Sequence, residues 1–84
     1  GLVNKVVAPS EVVPEAVALA ERICENAPLA VRTSKEIMRR ARDLPEDEAW
    51  RMNGELTAPI FTSRDAIEGA TAFAERRPPV WQGA

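Results

Sequence analysis

Residues 63–81 read SRDAIEGATAFAERRPPVW, and this stretch decides how the chain is interpreted. Its first part carries apolar residues at helical spacing, which predicts a helix with an inward apolar side. The inward residues are Ala66, Ile67, Ala70, Phe73 and Ala74. Arg76 and Arg77 follow, and Pro78 and Pro79 then end the helix. Because Trp81 lies beyond this helix, we expect the tail to contact another polypeptide rather than its own domain.

Three positions in this stretch carry more specific expectations. Thr62 supplies a hydroxyl three residues before Asp65, which predicts a capping box. Gly69 stands inside the helix at a cost of about 1 kcal/mol relative to alanine, so we expect another backbone to approach it closely. The arginine pair has two open interpretations, because cations favour a helix C-terminus and a guanidinium also suits phosphate.

The segment upstream predicts three further helices and an extended leader. Ser10 is the predicted cap of the first helix, which ends before Pro28. The second helix runs from Pro28 to Pro45, and the third follows Pro45, with Trp50 on its core side and a kink or end at Pro59. Residues 1–7 resemble a strand without a partner strand downstream. The predicted fold is all-α, a small bundle of about four helices with a short strand-like N-terminal leader.

Composition excludes several classes of function. The chain has 84 residues and a net charge of −2, which argues against a nucleic-acid or membrane-surface role for the whole chain. It contains no histidine, so the commonest general base and most zinc sites are absent. Its single cysteine, Cys24, favours a reducing, cytoplasmic location and packing as a small hydrophobe. The 13 acidic residues are interpreted as solvated faces and caps. No catalytic residue and no metal site is predicted.

The second predicted helix is strongly basic on its outer side. The cations are Arg32, Lys35, Arg39, Arg40 and Arg42. Such a face is usually solvated, but it also suits an acidic partner. One hypothesis is therefore an independent helical protein-interaction module that docks through this helix.

The ordered features of the whole chain resemble a known family. Residues 1–7 with Pro9 resemble the segment that leaves the core of enoyl-CoA hydratase/isomerase (crotonase) family enzymes. Residues 18–23, 27–31 and Lys35 are similar to the next two helices, and residues 63–83 resemble the terminal signature. The resemblance thus covers nearly the whole chain and points to the C-terminal region of a family member.

This resemblance implies a division of the chain and a parent activity. Residues 1–9 would be a leader from the N-terminal crotonase core, and residues 10–84 a C-terminal helical oligomerisation domain. The parent would be an enoyl-CoA hydratase, a lyase of fatty-acid metabolism, or alternatively an isomerase or another family member. The family's oxyanion hole and its catalytic glutamates lie in that core, so the resemblance implies that this chain alone is inactive.

The resemblance also implies ligand contacts and partners. Arg76, and more weakly Arg77, would approach the phosphates of CoA, and Phe61 would contact the ligand. Thr57 stands where some members carry a further aromatic residue. No separate cofactor is implied, because the acyl-CoA substrate itself carries the coenzyme. The implied partners are the crotonase core, acyl-CoA and further copies of the chain in a trimer or hexamer.

Overall fold

The computed structural model describes all 84 residues and contains four α-helices and no strand. A 3₁₀ turn, Pro9–Glu11, leads into α1 (Val12–Cys24). The remaining helices are α2 (Pro28–Ala41), α3 (Glu46–Phe61) and α4 (Arg64–Glu75). The prediction of about four helices is confirmed. None of the four combines the length and the apolar content that crossing a lipid bilayer requires.

Prolines set most of the helix boundaries. Pro28 is the first residue of α2, where its missing N–H costs nothing because that group has no intrahelical partner. Pro45 is extended, with ψ 150°, and three acidic residues follow it in the first turn of α3. Pro59 lies inside α3, and that helix ends two residues later at Phe61.

The predicted cap at Ser10 is wrong. Ser10 lies within the 3₁₀ turn, and α1 begins only at Val12 without a side-chain cap. Pro9 opens the 3₁₀ turn, because its fixed φ suits a first helical position and the helical conformation therefore starts before the serine. The capping hydroxyl is consequently inside the turn rather than in front of it.

The predicted capping box at the start of α4 is displaced by one residue. Ser63, not Thr62, is the N-cap, and its Oγ accepts a hydrogen bond of 3.1 Å from the Ala66 amide. The same hydroxyl donates to the Ile60 carbonyl at 2.6 Å. Asp65 is therefore not part of a capping box, and its carboxylate is available for another partner.

The helices form an open arrangement with a small core. The most extensive helix contact joins α2 and α3. The radius of gyration is 16.0 Å, whereas a compact chain of this length would have about 12 Å. Several residues predicted to pack in the core are instead exposed, among them Trp50 at 67%, Ile67 at 66% and Phe73 at 88%. Cys24, Ala70 and Ala74 are exposed as well. The physical reason is that helical spacing identifies an apolar face but not the polypeptide that covers it.

The leader forms no β-ladder, because the chain contains no second strand to pair with it. Lys5 of the leader forms an ion pair with Glu15 of α1, with 2.6 Å between Nζ and Oε1. This pair connects the leader to that helix. Leu2, Val3 and Val6 remain exposed. The strand-like sequence is therefore not matched by strand pairing within this chain.

The C-terminal tail folds back onto its own helices, so the expectation that Trp81 contacts only another polypeptide is wrong. The indole Nε1 of Trp81 donates a hydrogen bond of 2.7 Å to the Glu25 carbonyl at the end of α1. Its ring also covers Gly69, where an added Cβ would lie only 3.2 Å from a ring carbon. Gly69 thus makes room for an aromatic ring rather than for another backbone.

Two glycine substitutions test this packing. Gly54 also lies inside a helix, and a Cβ added there would meet nothing within 4 Å. We therefore expect Gly54→Ala to raise the free energy of unfolding by about 1 kcal/mol. Gly69→Ala should raise the free energy of unfolding clearly less, because its methyl group collides with the ring of Trp81. Urea unfolding followed by circular dichroism measures both changes.

The control places Gly69→Ala in a Trp81→Ala background, where the ring is gone and the full gain from alanine should return. Equal stabilisation by the two glycine substitutions in the otherwise unchanged chain would contradict the packing of Trp81 on Gly69.

Candidate functional site

The α4 helix ends at a left-handed residue that is not glycine. Arg76 has φ 56° and ψ 40°, and it is the one non-glycine residue with positive φ. The Arg77 amide donates to the Ala72 carbonyl at 3.0 Å, and the Arg76 amide donates to the Phe73 carbonyl at 3.2 Å. These two bonds form a Schellman motif, in which glycine is the usual residue at the left-handed position. Arginine there costs roughly 1 kcal/mol, which the surrounding contacts must offset.

The Arg77 guanidinium is fully engaged within the chain. It forms two parallel hydrogen bonds with the Glu68 carboxylate, Nη1 to Oε1 at 2.6 Å and Nη2 to Oε2 at 3.0 Å. Its Nε donates to Glu75 Oε2 at 2.6 Å. The hydrogen bonds to Glu68 and then to Glu75 raise the pKa of Arg77 above its usual value. This guanidinium is thus a structural cation that already has two carboxylate partners.

Glu68 joins the helix to the tail. Besides Arg77, its Oε1 accepts a hydrogen bond of 2.7 Å from the Val80 amide. The hydrogen bond from Arg77, and then the one from Val80, lower the pKa of Glu68 from 4.5 to about 2. Its side chain is only 19% exposed. Glu68 therefore stays ionised at neutral pH and fastens the first part of the tail.

Asp65 fastens the end of the tail in the same way. It is 2% exposed, and its two carboxylate oxygens accept hydrogen bonds from the amides of Gln82 at 2.7 Å and Gly83 at 2.9 Å. The Asp65 amide in turn donates to the Ala84 carbonyl at 3.0 Å. We call Asp65 and Glu68, with the tail amides that they bind, the tail clasp.

The Arg76 side chain differs from its neighbour because nothing in the chain engages it. It is exposed, and no hydrogen bond or ion pair within the chain involves its guanidinium. The two predicted arginines therefore have separate environments, one paired and one free. Their contact with the phosphates of CoA stays a prediction.

Phe61 lies at the opposite end of α4 from the arginines. It is 78% exposed and lines a cavity of about 330 Å³ together with Leu29, Ile60 and Trp81. The rise of a helix places residue 64 about 18 Å along the axis from residue 76. The structure thus does not bring Phe61 next to the arginine pair. Thr57 uses its hydroxyl within α3, where it donates to the Asn53 carbonyl at 2.8 Å.

The basic face of α2 is only partly neutralised. Arg40 pairs with Glu36 at 2.9 Å, and Arg42 lies 3.5 Å from Asp43. Arg32 donates through Nε to the Pro28 carbonyl at 3.2 Å. Lys35 and Arg39 are exposed beside them on a shallow surface. The basic side chains of this face are thus solvent-exposed in the structure.

Sequence reasoning missed Asp65 and Glu68, which it interpreted as a cap and a solvated residue. A signal for both was available. They lie three residues apart on one side of a helix, and the Pro78-Pro79 pair leaves the following amides without helical partners. Free amides near two carboxylates on one helix side indicate a polar clasp.

Comparison with known proteins places this chain in a family. A sequence model of the enoyl-CoA hydratase/isomerase family matches residues 1–84. The chain belongs to the enoyl-CoA hydratase/isomerase family. Among similar proteins is a carnitinyl-CoA dehydratase of Escherichia coli K12. It is 44% identical over an alignment of 87 residues, which covers 99% of this chain and 33% of the relative.

Solved structures of the family agree with the fold. An enoyl-CoA hydratase from Mycobacterium marinum superposes with a TM-score of 0.88 at 45% identity, covering 100% of this chain and 33% of that one. One from Mycobacterium tuberculosis H37Rv gives a TM-score of 0.89 at 45% identity with the same coverage. The helices of this family member thus match the C-terminal helical region of the crotonase fold, and the chain spans about one third of these relatives' length.

We expect acid to release the tail from α4. Since the pKa of Glu68 is lower in the folded chain than in the unfolded one, its pairing stabilises the fold above pH 4.5, and this contribution is lost as the pH falls towards about 2. Trp81 fluorescence in a Trp50→Phe background should report the release, because the indole then leaves Gly69. Circular dichroism should change less.

The matched control is Glu68→Gln, whose amide does not titrate over this range. A transition with the same midpoint and amplitude in that variant would show that Glu68 does not hold the tail.

Proposed function

We propose that this chain forms the C-terminal helical part of an enoyl-CoA hydratase-type enzyme of fatty-acid metabolism. The observation that carries the proposal is the match along the whole chain to solved enoyl-CoA hydratases, at 45% identity and a TM-score of 0.89. A carnitinyl-CoA dehydratase at 44% identity supports the same reaction type, since hydration and dehydration are two directions of one reaction.

The proposed reaction adds water across the double bond of a 2-enoyl-CoA. The thioester carbonyl withdraws electrons from the double bond, so a water oxygen attacks C3 and a proton is added at C2. Donors to the carbonyl oxygen stabilise the negative charge that develops there. In our proposal these donors and the acid-base groups come from the N-terminal crotonase core, and residues 1–84 alone are inactive. This assignment fits a chain without histidine and without a catalytic cluster.

The role of residues 10–84 in the proposal is assembly and completion of the acyl-CoA pocket. Support comes from apolar side chains that the chain leaves uncovered, on α1, α3 and α4. They include Val13 at 71% exposure, Trp50 at 67%, Phe61 at 78%, Ile67 at 66% and Phe73 at 88%. Uncovered apolar surface of this extent is typical of a protein interface. The occupants that we propose are the crotonase core and further subunits of a trimer or hexamer, with the leader, residues 1–9, joined to the core.

The proposed ligand contacts are divided between the two ends of α4. Arg76 would bind a phosphate group of CoA, because its guanidinium is exposed and has no partner in the chain. Arg77 would contribute through its positive charge only, since its donors are directed to carboxylates. Phe61 would cover a different part of the ligand, beside the cavity that it shares with Trp81.

A chimera tests the proposal. Residues 1–84 replace the matching third of the Mycobacterium tuberculosis enoyl-CoA hydratase, to which they are 45% identical. We expect the chimera to hydrate crotonyl-CoA within about tenfold of the parent enzyme and to sediment at the parent's oligomeric size. Product analysis separates hydration from double-bond isomerisation.

The controls are the 84-residue chain by itself and the parent without its matching third, and neither should turn over substrate. A folded chimera that is monomeric and inactive would overturn the proposal. Turnover by the 84-residue chain would overturn the assignment of catalysis to the core.

A further inference from the structure

Arg76 and Arg77, at the end of α4, are both candidates for binding a phosphate of CoA. The carboxylate of Glu68 pairs with only one of them. Glu68 binds Arg77 through both of its oxygens and leaves Arg76 without a partner. A pair of parallel hydrogen bonds fixes the orientation of a guanidinium as well as its position. Because Glu68 accepts from both terminal nitrogens of Arg77, this guanidinium is not free to bind an external anion in the same way.

The same carboxylate also holds the backbone on the far side of Arg76. Through the Val80 amide, Glu68 anchors the chain four residues beyond Arg76, and the Arg77 amide is bound to the Ala72 carbonyl. The left-handed conformation of Arg76 is thus enclosed by contacts on both sides. A non-glycine residue keeps such a conformation only where its surroundings determine it, and this combination is typical of functional positions.

We propose that Glu68 is a positioning residue that pairs with Arg77 and thereby presents Arg76 alone to a phosphate group of the acyl-CoA substrate. This inference rests on the function proposed above and adds to it the residue that selects the phosphate-binding cation. Glu68 itself does not touch the ligand. It acts through the orientation of Arg77 and the backbone conformation at Arg76.

The Glu68→Gln substitution gives opposite results under two physical accounts. It removes one negative charge and releases Arg77, so attraction by net charge alone would strengthen the binding of a phosphate. Positioning predicts weaker binding, because Arg76 loses the backbone conformation that fixes its side chain towards the phosphate. The direction of the change in affinity therefore decides between the accounts.

The experiment uses the chimera with two substrates, crotonyl-CoA and crotonyl-pantetheine, of which the second lacks the nucleotide phosphates. We expect Glu68→Gln to lower kcat/KM for crotonyl-CoA about tenfold, mainly through KM, and to leave kcat/KM for crotonyl-pantetheine within about twofold. Arg76→Gln should give the same pattern. The double variant should lose no more than either single variant, because both act through one contact.

Glu55→Gln is the matched control, since it makes the same charge change on an exposed residue of α3 without contacts in the clasp. It should leave both substrates unaffected. Equal losses for the two substrates in Glu68→Gln would show a purely structural role, and tighter binding of crotonyl-CoA would show attraction by net charge. Either result, or an unchanged preference in Arg76→Gln, would overturn the inference while leaving the hydratase function intact.

A second measurement does not depend on turnover. In the 84-residue chain, the positive φ of Arg76 brings its amide and α hydrogens close together and should give a strong intraresidue nuclear Overhauser effect. This signal should weaken in Glu68→Gln and persist in Glu55→Gln, with circular dichroism showing retained helices in both. An unchanged signal in Glu68→Gln would overturn the positioning role. A chimera that hydrates neither substrate would instead contradict the proposed function.

Discussion

The C-terminal end of the structure depends on the hydrogen bonds that the Asp65 carboxylate accepts. Asp65 is almost completely buried, in the first turn of α4, and it binds two consecutive tail amides. The partial positive charge at a helix N-terminus favours a carboxylate at this position. Without these bonds Gln82 and Gly83 would lose their partners on α4, and Trp81, which precedes them, would be less firmly held between Gly69 and α1.

Polar contacts therefore substitute for an apolar core at this end of the chain. Four residues are buried, and two of them, Ser63 and Asp65, are polar residues at the start of α4. Each is satisfied by hydrogen bonds, which buried polar groups require. The apolar faces of the helices are left for other surfaces, as the proposed assembly role needs. The local order at Arg76 then comes from the clasp and not from general packing.

The sequence was sufficient to predict the helices, because apolar spacing and proline positions are local signals. Two carboxylates on one side of α4 and the following Pro-Pro pair indicate that the tail amides need partners. They do not show which amide meets which carboxylate, since Asp65 and its amide partners are 17 and 18 residues apart and amides carry no residue identity. Sequence reasoning also misassigned Phe73 and Trp50, because spacing shows that a face is apolar and not what covers it. Arg76 and Arg77 were both predicted as ligand contacts, and only coordinates could distinguish the paired one from the free one.

The most direct test of the clasp is amide hydrogen exchange along the tail. We predict that the Val80, Gln82 and Gly83 amides exchange slowly, because each donates to a carboxylate. Asp65→Asn should accelerate exchange at Gln82 and Gly83 more than at Val80, since an amide side chain cannot accept through both of its terminal atoms. Exchange of all three amides at the rate of an unstructured peptide in the unsubstituted chain would contradict the account.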